Sequence, residues 1–217
     1  MRPNIRSLML VGVLLAASLL GAACIPLIIG GAAVGGAAVL AADRRSTGIQ
    51  LEDEAIERRL NRAIYGNYKD GEISVYVTSY NRKVLLAGQV ISERIYQEVE
   101  KIAREGESVR EVVNELQVRE LSPATVRNND IAITSKVRAA FVEAKKVPFG
   151  VIKVTTERGI VYLLGRVTQE EGDNAAQVAA RVSGVNKVVK VFDYLTSEEL
   201  GGIQGSGSAG APQPPRK

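Results

Sequence analysis

The residues that could carry out chemistry in this chain are few, and their types exclude most enzymatic mechanisms. The 217 residues contain no His and a single Cys, Cys24. A Ser-His-Asp or Cys-His nucleophile therefore lacks its base, and a structural zinc site lacks its three or four Cys and His ligands. An intrachain disulfide lacks a second thiol. We predict that the chain is not an enzyme, holds no metal and uses no cofactor.

The acidic clusters of the chain indicate helix starts rather than acid–base catalysis. Carboxylates stand at 52–54 and at 170–173, next to stretches whose apolar residues recur at helical spacing. Acidic side chains near a helix N-terminus are stabilised by the helix dipole. No polar residue is placed to complete a catalytic pair with either cluster, and the chain contains no G-x-x-x-x-G-K phosphate-binding pattern.

Cys24 stands where a lipid attachment site would be. Residues 1–23 have the layout of a secretory signal peptide, with Arg2 and Arg6 first, then an uncharged apolar run, then small residues at 21–23. This arrangement resembles the lipobox of bacterial lipoproteins, where the peptide is cut before a diacylated cysteine. We predict that Cys24 is lipidated and anchors the mature chain. An ordinary signal peptide or membrane anchor with an incidental cysteine is the alternative.

Residues 24–48 form a membrane-proximal segment that is rich in Gly and Ala. Its first part, up to Ala42, is uncharged and just long enough to span a bilayer. Gly31 and Gly35 have a spacing that suits close helix packing. The pattern predicts membrane association and fits both a spanning segment and a linker that stays outside the bilayer.

The rest of the chain contains an internal repeat with an offset of 77 residues. Segment 75–90 aligns with segment 152–167, with Val, Thr, Leu and Gly at matching places. Both alternate in hydrophobicity, which predicts a β-hairpin with one buried face. Helical patterns flank each hairpin, and third strands are predicted at Val112–Val118 and Val188–Phe192. Each repeat is thus predicted to be an α+β unit of order αββαβ, with helices on one face of a small mixed sheet.

This order, the hairpin ending Val-x-Leu-x-Gly-x-Val and the closing turn at 181–188 resemble the BON domain. Two such domains behind a lipobox resemble the dual-BON-domain lipoproteins of the Gram-negative outer membrane. A tail rich in Gly, Ser and Pro is expected to be disordered. The predicted organisation is a signal peptide at 1–23, the membrane-proximal segment at 24–48, a first BON domain at 49–121, a linker at 122–128, a second BON domain at 129–196 and a disordered tail at 197–217.

The two repeats differ in charge. Residues 51–121 contain 11 Lys and Arg against 14 Asp and Glu, whereas residues 129–194 contain 10 against 7. A basic domain near an anionic membrane gains about 1 kcal/mol per well-placed cation. We therefore expect the second domain to face phospholipid and the first to act as a spacer or as a protein-docking surface.

A helix predicted from Asp130 to Lys146 carries the candidate lipid-binding residues. The arc expected to face the sheet contains Ile133, Val137, Ala140, Phe141 and Ala144. The candidate lipid-binding residues are Lys136, Arg138, Val142, Lys145 and Lys146. One apolar side chain among cations suits a shallow contact with headgroups, and binding of anionic phospholipid through this helix is what the family resemblance implies. A solvated helix face with one exposed valine is the alternative.

Two functions fit these patterns. The first is a non-enzymatic, lipid-anchored protein of the outer membrane that faces the periplasm, supports envelope integrity and binds anionic phospholipid. The second is a periplasmic scaffold whose exposed sheet faces bind an envelope or outer-membrane assembly protein. The outer-membrane location follows from the resemblance and from Ile25-Pro26, because an acidic residue after the cysteine is associated with inner-membrane retention in some bacteria. Export argues against a nucleic-acid partner, and the oligomeric state stays open.

Overall fold

The computed structural model describes residues 43–148 and 150–208. Cys24, the signal peptide and the membrane-proximal segment up to residue 42 lie outside the described residues. Among the residues described, no helix combines the length and the apolar character needed to cross a bilayer.

Two αββαβ units follow one another along the chain. The first consists of α1 (Thr47–Tyr65), β1 (Ile73–Tyr80), β2 (Lys83–Val90), α2 (Glu93–Arg104) and β3 (Glu111–Val118). The second consists of α3 (Ala124–Glu143), β4 (Lys153–Glu157), β5 (Ile160–Val167), α4 (Gln169–Ala180) and β6 (Lys187–Tyr194). In each 3-stranded sheet the central strand is antiparallel to the strand before it and parallel to the strand after it. The predicted order and mixed sheets are confirmed.

One face of each sheet is covered by the helices of its own domain. Ile56, Leu60 and Ile64 recur every four residues along α1 and are buried in the first core. Their equivalents in α3 are Ile133, Val137 and Phe141. This spacing places one apolar stripe of each helix on the sheet, so each domain has a complete hydrophobic core of its own.

A buried aspartate on the first helix of each domain holds the hairpin turn. The two carboxylate oxygens of Asp130 accept the backbone N–H groups of Arg158 and Gly159, each at 2.8 Å. Asp53 accepts the corresponding N–H groups of the first hairpin turn at 2.7 Å. The turn residues have positive φ, as a two-residue type I′ turn requires. Each carboxylate thus satisfies turn donors that would otherwise lack a partner inside the protein.

The other faces of the two sheets pack against each other and form a third core. It consists of Tyr80, Leu85 and Ala87 from the first sheet and Tyr162, Leu164 and Val191 from the second. The contact is close to two-fold symmetric: Thr78 and Thr155, which occupy equivalent positions in the repeat, meet with 3.4 Å between their Oγ1 atoms. The two domains therefore pack like the halves of an isologous dimer within one chain.

This packing corrects two predictions. The scaffold hypothesis requires exposed sheet faces, but Leu85 and Leu164 are fully buried between the sheets. The hairpins were also predicted to have one buried face, whereas all eight positions of β2 are buried. The physical reason is that both central strands are apolar on both faces, and such strands need a cover on each side.

The first helix of the second domain also differs from its prediction. The sequence predicts a helix over 130–146, whereas α3 runs from Ala124 to Glu143. Most of the segment predicted as a linker is therefore helical. The helix begins after Pro123, whose backbone is extended, and it ends where Lys145 takes a φ of 49°, which stops an α-helix.

A fifth helix, α5 (Ser197–Ser208), corrects the prediction that residues 197–208 are disordered. The hydroxyl of Thr196 accepts the N–H of Glu199 at 3.2 Å, and the carboxylate of Glu199 accepts the N–H of Thr196 at 2.8 Å. This capping box starts the helix despite the glycines that follow. Residues 209–217 of the predicted tail lie outside the described residues.

The sheet-to-sheet core can be tested with two adjacent leucines of β5. Leu163 is buried in the core of the second domain and Leu164 in the core between the sheets. We expect Leu163→Ala and Leu164→Ala each to cost about 2–5 kcal/mol. Only Leu164→Ala should split urea unfolding into two transitions, because it loosens the domains from each other. A single transition in both variants would contradict the role of this core.

Candidate functional site

The exposed face of α3 carries two apolar side chains with a cation between them. Ile131 is 66% exposed and Val142 is 57% exposed, and Arg138 is also exposed. The three positions fall within about 40° around the helix axis. We call Ile131, Arg138 and Val142 the α3 face. The sequence analysis does not include Ile131 among the candidate residues. The signal for it is its spacing, because residues 7 and 11 positions apart on a helix lie on the same face.

Lys145 and Lys146 lie in the turn after α3 and not on the helix itself. Lys145 has a left-handed backbone conformation, and the N–H of Lys146 donates to the carbonyl of Ala144. Both side chains are exposed. They extend the cationic surface beyond the C-terminal end of α3, where positive charge is favoured by the helix dipole.

Lys136 is exposed but lies on a flank, about 120° around the helix from Val142. The structure therefore brings Arg138 and Val142 together with Ile131, places two lysines at the end of the helix, and leaves Lys136 apart from them.

Among the residues that the structure describes, the candidate cations of α3 and of the turn after it have no carboxylate partner. No ion pair of the described residues includes Lys136, Arg138, Lys145 or Lys146. In the first domain, by contrast, each of three arginines pairs with a glutamate one helical turn away: Arg58 with Glu54, Arg94 with Glu98, and Arg104 with Glu100. The charges around α3 are thus available to an anion from outside.

The repeat supplies an internal comparison for the α3 face. The equivalents of Ile131, Arg138 and Val142 on α1 are Glu54, Asn61 and Tyr65. Tyr65 is bound to the sheet, because its hydroxyl donates to the carbonyl of Val75 at 2.9 Å and accepts the N–H of Val75 at 3.0 Å. The three equivalent positions of α1 therefore do not reproduce the arrangement of two exposed aliphatic side chains around a cation.

Residues 43–46, which we call the strap, tie the start of the described chain to the second domain. Arg44 donates two hydrogen bonds of 2.7 Å to the carboxylate of Glu171 and one of 2.9 Å to the carbonyl of Arg166. Burial acts to raise the pKa of Glu171, but the bonds from Arg44 and from a backbone N–H outweigh it and lower that pKa. The carboxylate is thus held in its charged form.

The next strap residue enters the edge of the contact between the domains. The guanidinium of Arg45 pairs with Asp43 at 2.6 Å and with Asp53 at 2.7 Å, and it lies 4.0 Å from the centre of the Tyr80 ring. The Tyr80 hydroxyl donates to Val151 at 3.1 Å, and burial raises the pKa of Tyr80. The strap is therefore held against both domains.

The chemistry offered by these surfaces is charge and apolar contact. In the ranges 43–148 and 150–208, no group of three or more acidic, Cys or His side chains is arranged to hold a metal ion.

Comparison with known proteins yields one family. The BON domain profile matches residues 52–120 and 129–196. The chain is 38% identical over 187 residues to Outer membrane lipoprotein DolP of Haemophilus influenzae, covering 84% of this chain and 94% of that protein. It is 34% identical over 157 residues to 21 kDa hemolysin of Actinobacillus pleuropneumoniae, covering 70% and 79%. It is 33% identical over 143 residues to Osmotically-inducible protein Y of Escherichia coli, covering 64% and 70%.

The strap contact can be tested by limited trypsin digestion. Trypsin cuts after arginine, and the contact holds Arg44 and Arg45 against the folded domains. We expect Glu171→Gln to speed cleavage in the strap several-fold, because glutamine keeps the helix cap of α4 but loses the charge that pairs with Arg44. Glu170→Gln changes an exposed neighbour of Glu171, and trypsin should cleave this variant at the same rate as the unchanged protein. Equal rates for all three would mean that Arg44 is not held by this pair.

Proposed function

Because this chain belongs to the BON-domain family and carries two copies of the domain, we propose that its second domain binds anionic phospholipid headgroups through the α3 face. The chain is an outer-membrane lipoprotein, as its similarity to Outer membrane lipoprotein DolP over most of both chains indicates. In our proposal it has no enzymatic activity, is anchored through Cys24, faces the periplasm and supports the integrity of the envelope.

The observation that carries this proposal is the exposed α3 face itself. Ile131 and Val142 enter the apolar edge of the headgroup layer, while Arg138, Lys145 and Lys146 meet phosphates. No carboxylate of the described residues neutralises these cations, so their charge acts fully on an anionic surface.

The binding free energy of this contact is small enough for reversible attachment. Three cations contribute about 1 kcal/mol each, and partial burial of two aliphatic side chains adds about 2 kcal/mol. A total near 5 kcal/mol corresponds to sub-millimolar affinity. The second domain therefore binds weakly by itself, and the lipid anchor raises the effective concentration of membrane around it.

The first domain contributes in a different way. It carries more acidic than basic residues, and position 54 on α1 holds a glutamate where α3 has Ile131. An anionic bilayer repels such a surface. We assign the first domain to the side facing away from the bilayer, where it acts as a spacer or contacts protein.

Charge reversal tests the cationic part of the site. We expect Arg138→Glu, Lys145→Glu and Lys146→Glu together to lower the partition of residues 43–217 onto phosphatidylglycerol vesicles by about 100-fold or more. Binding of the unchanged protein should weaken steeply between low and physiological salt, because exposed charges are screened. Co-flotation of protein with vesicles measures both effects.

The matched control reverses three exposed cations of the first domain, Arg58→Glu, Arg62→Glu and Lys69→Glu, with the same change in net charge. This control should keep most of the vesicle binding. Equal loss in both triple variants would reduce the effect to net charge. Binding by neither the unchanged protein nor its control would overturn the proposal and favour a protein contact through surfaces other than the buried sheet faces.

The apolar part of the site is tested separately. We expect Ile131→Asn and Val142→Asn together to lower vesicle partition about tenfold without changing its salt dependence, because only apolar burial is lost. Leu51→Asn replaces an exposed leucine of α1 and should have no effect. A change of salt dependence in the double variant would mean that these residues act through the charges.

A further inference from the structure

A cleft of about 240 Å³ lies between the two domains, beside α3. Tyr76 of β1 forms one wall, Ile131 and Arg127 of α3 form the other, and β4 contributes Val154 and Glu157 at its base. The cleft shares Ile131 with the α3 face, so it opens next to the surface that we assign to lipid.

Glu157 is an unusual residue to find at the base of a cleft, because it is only 4% exposed. Its Oε1 accepts a hydrogen bond of 2.5 Å from the amide of Gln89, whereas Oε2 has no hydrogen-bond partner among the described residues. Every fully buried side-chain oxygen of the described residues has a hydrogen-bond partner. Oε2 is therefore in contact with solvent, and Glu157 is one of the residues that line the cleft. Burial raises the pKa of Glu157 because a buried carboxylate is poorly solvated, and a cation bound beside it would stabilise the charged form.

The repeat allows a comparison with the residues that line the equivalent cleft of the first domain. A cleft of about 260 Å³ is lined by Asp53, Tyr80 and Lys153, which occupy the repeat positions of Asp130, Glu157 and Tyr76. The guanidinium of Arg45 also lines this cleft, where it pairs with Asp53 and stacks on Tyr80. In one of the two related clefts, a residue of the strap therefore supplies a cation beside the buried carboxylate.

The second cleft has no cation at the repeat position that is equivalent to Arg45. The repeat position of Arg45 is Ser122, whose N–H donates to Gln89 and whose hydroxyl accepts from Arg158. Arg127 and Arg158 lie close enough to lower the pKa of Glu157, but neither forms an ion pair with Glu157 within the described chain.

We propose that this cleft binds the ammonium group of an ethanolamine phospholipid headgroup. The ammonium donates to Oε2 of Glu157 and lies against the ring of Tyr76, which is 39% exposed, in a cation–π contact. The adjoining phosphate meets the guanidinium of Arg127, which also donates to the carbonyl of Ser122 at 2.6 Å. The inference rests on the proposed function for its choice of a lipid as the source of the cation.

Two features favour a headgroup over a lysine of a partner protein. The walls of the cleft offer opposite charges, since Glu157 lies at the base and Arg127 on the side, as a zwitterion of one ammonium and one phosphate requires. In addition, the mouth is bordered by Ile131, which is exposed for apolar contact. A headgroup brings both of its charges and an apolar chain to the same place.

The test uses soluble headgroups and residues 43–217, which contain all three hydrophobic cores and the strap. Glycerophosphoethanolamine and glycerophosphocholine are titrated while amide chemical shifts are followed by NMR. We expect saturable shifts around Glu157 and Tyr76 with ethanolamine, and about tenfold weaker binding of choline, which has no N–H to donate to the carboxylate. No saturable shift, or equal binding of both headgroups, would overturn the proposal.

Variants identify the residues. Glu157→Gln should weaken ethanolamine binding about tenfold, because it removes the buried charge but keeps the shape. Glu143→Gln, at an exposed position of α3 outside the cleft, should bind as the unchanged protein does. Tyr76→Leu gives a second loss of affinity that does not depend on the stability of Glu157→Gln. Unchanged affinity in both cleft variants would place the site elsewhere.

Vesicles separate this inference from the proposed function. Phosphatidylglycerol is mixed with either phosphatidylethanolamine or phosphatidylcholine, and we expect several-fold tighter binding to the ethanolamine mixture, lost in Glu157→Gln. Absence of all vesicle binding would contradict the role of the α3 face, while the soluble titration would still decide the cleft. Binding to both mixtures alike, with no response to the soluble headgroup, would contradict the cleft alone.

Discussion

The packing of the two domains follows from the composition of the central strands β2 and β5, which are largely apolar on both faces. The helices of a BON domain cover only one face of its sheet, so a single domain would expose Leu85 or Leu164 to water. The chain meets this constraint by turning the two open faces toward each other. The tandem repeat is therefore one folded body in which each domain supplies the missing layer of the other.

The near two-fold packing creates pairs of related positions that the two repeats use differently. At one edge of the contact, Arg45 lines a cleft and is held by carboxylates and by Tyr80. At the related edge the chain supplies Ser122, and a buried carboxylate, Glu157, lines an open cleft. Burying a charge is costly without a partner, so this difference has chemical consequences although the backbone is nearly the same.

The same divergence separates the outer surfaces. Three arginines on the helices of the first domain pair with glutamates one turn away, whereas α3 carries cations and exposed aliphatic side chains. The strap fixes the start of the described chain against the second domain through Arg44 and Glu171. In the proposed function, one repeat meets the bilayer and the other completes the fold and faces away from it.

Periodicity and composition are local properties, so the sequence alone predicts the order of helices and strands, the repeat, the charge difference and the candidate residues Arg138 and Val142. The tertiary structure was needed to show that the sheet faces are covered, that Lys145 lies beyond the end of α3, and that Glu157 and Arg45 line related clefts. The covered sheet faces and the clefts depend on contacts between residues more than 30 positions apart in the chain, such as Tyr80 with Val151 and Gln89 with Glu157. Alternating hydrophobicity shows that a strand is buried on a face but not which element covers it, and for this reason packing, burial of charge and the clefts had to come from the fold.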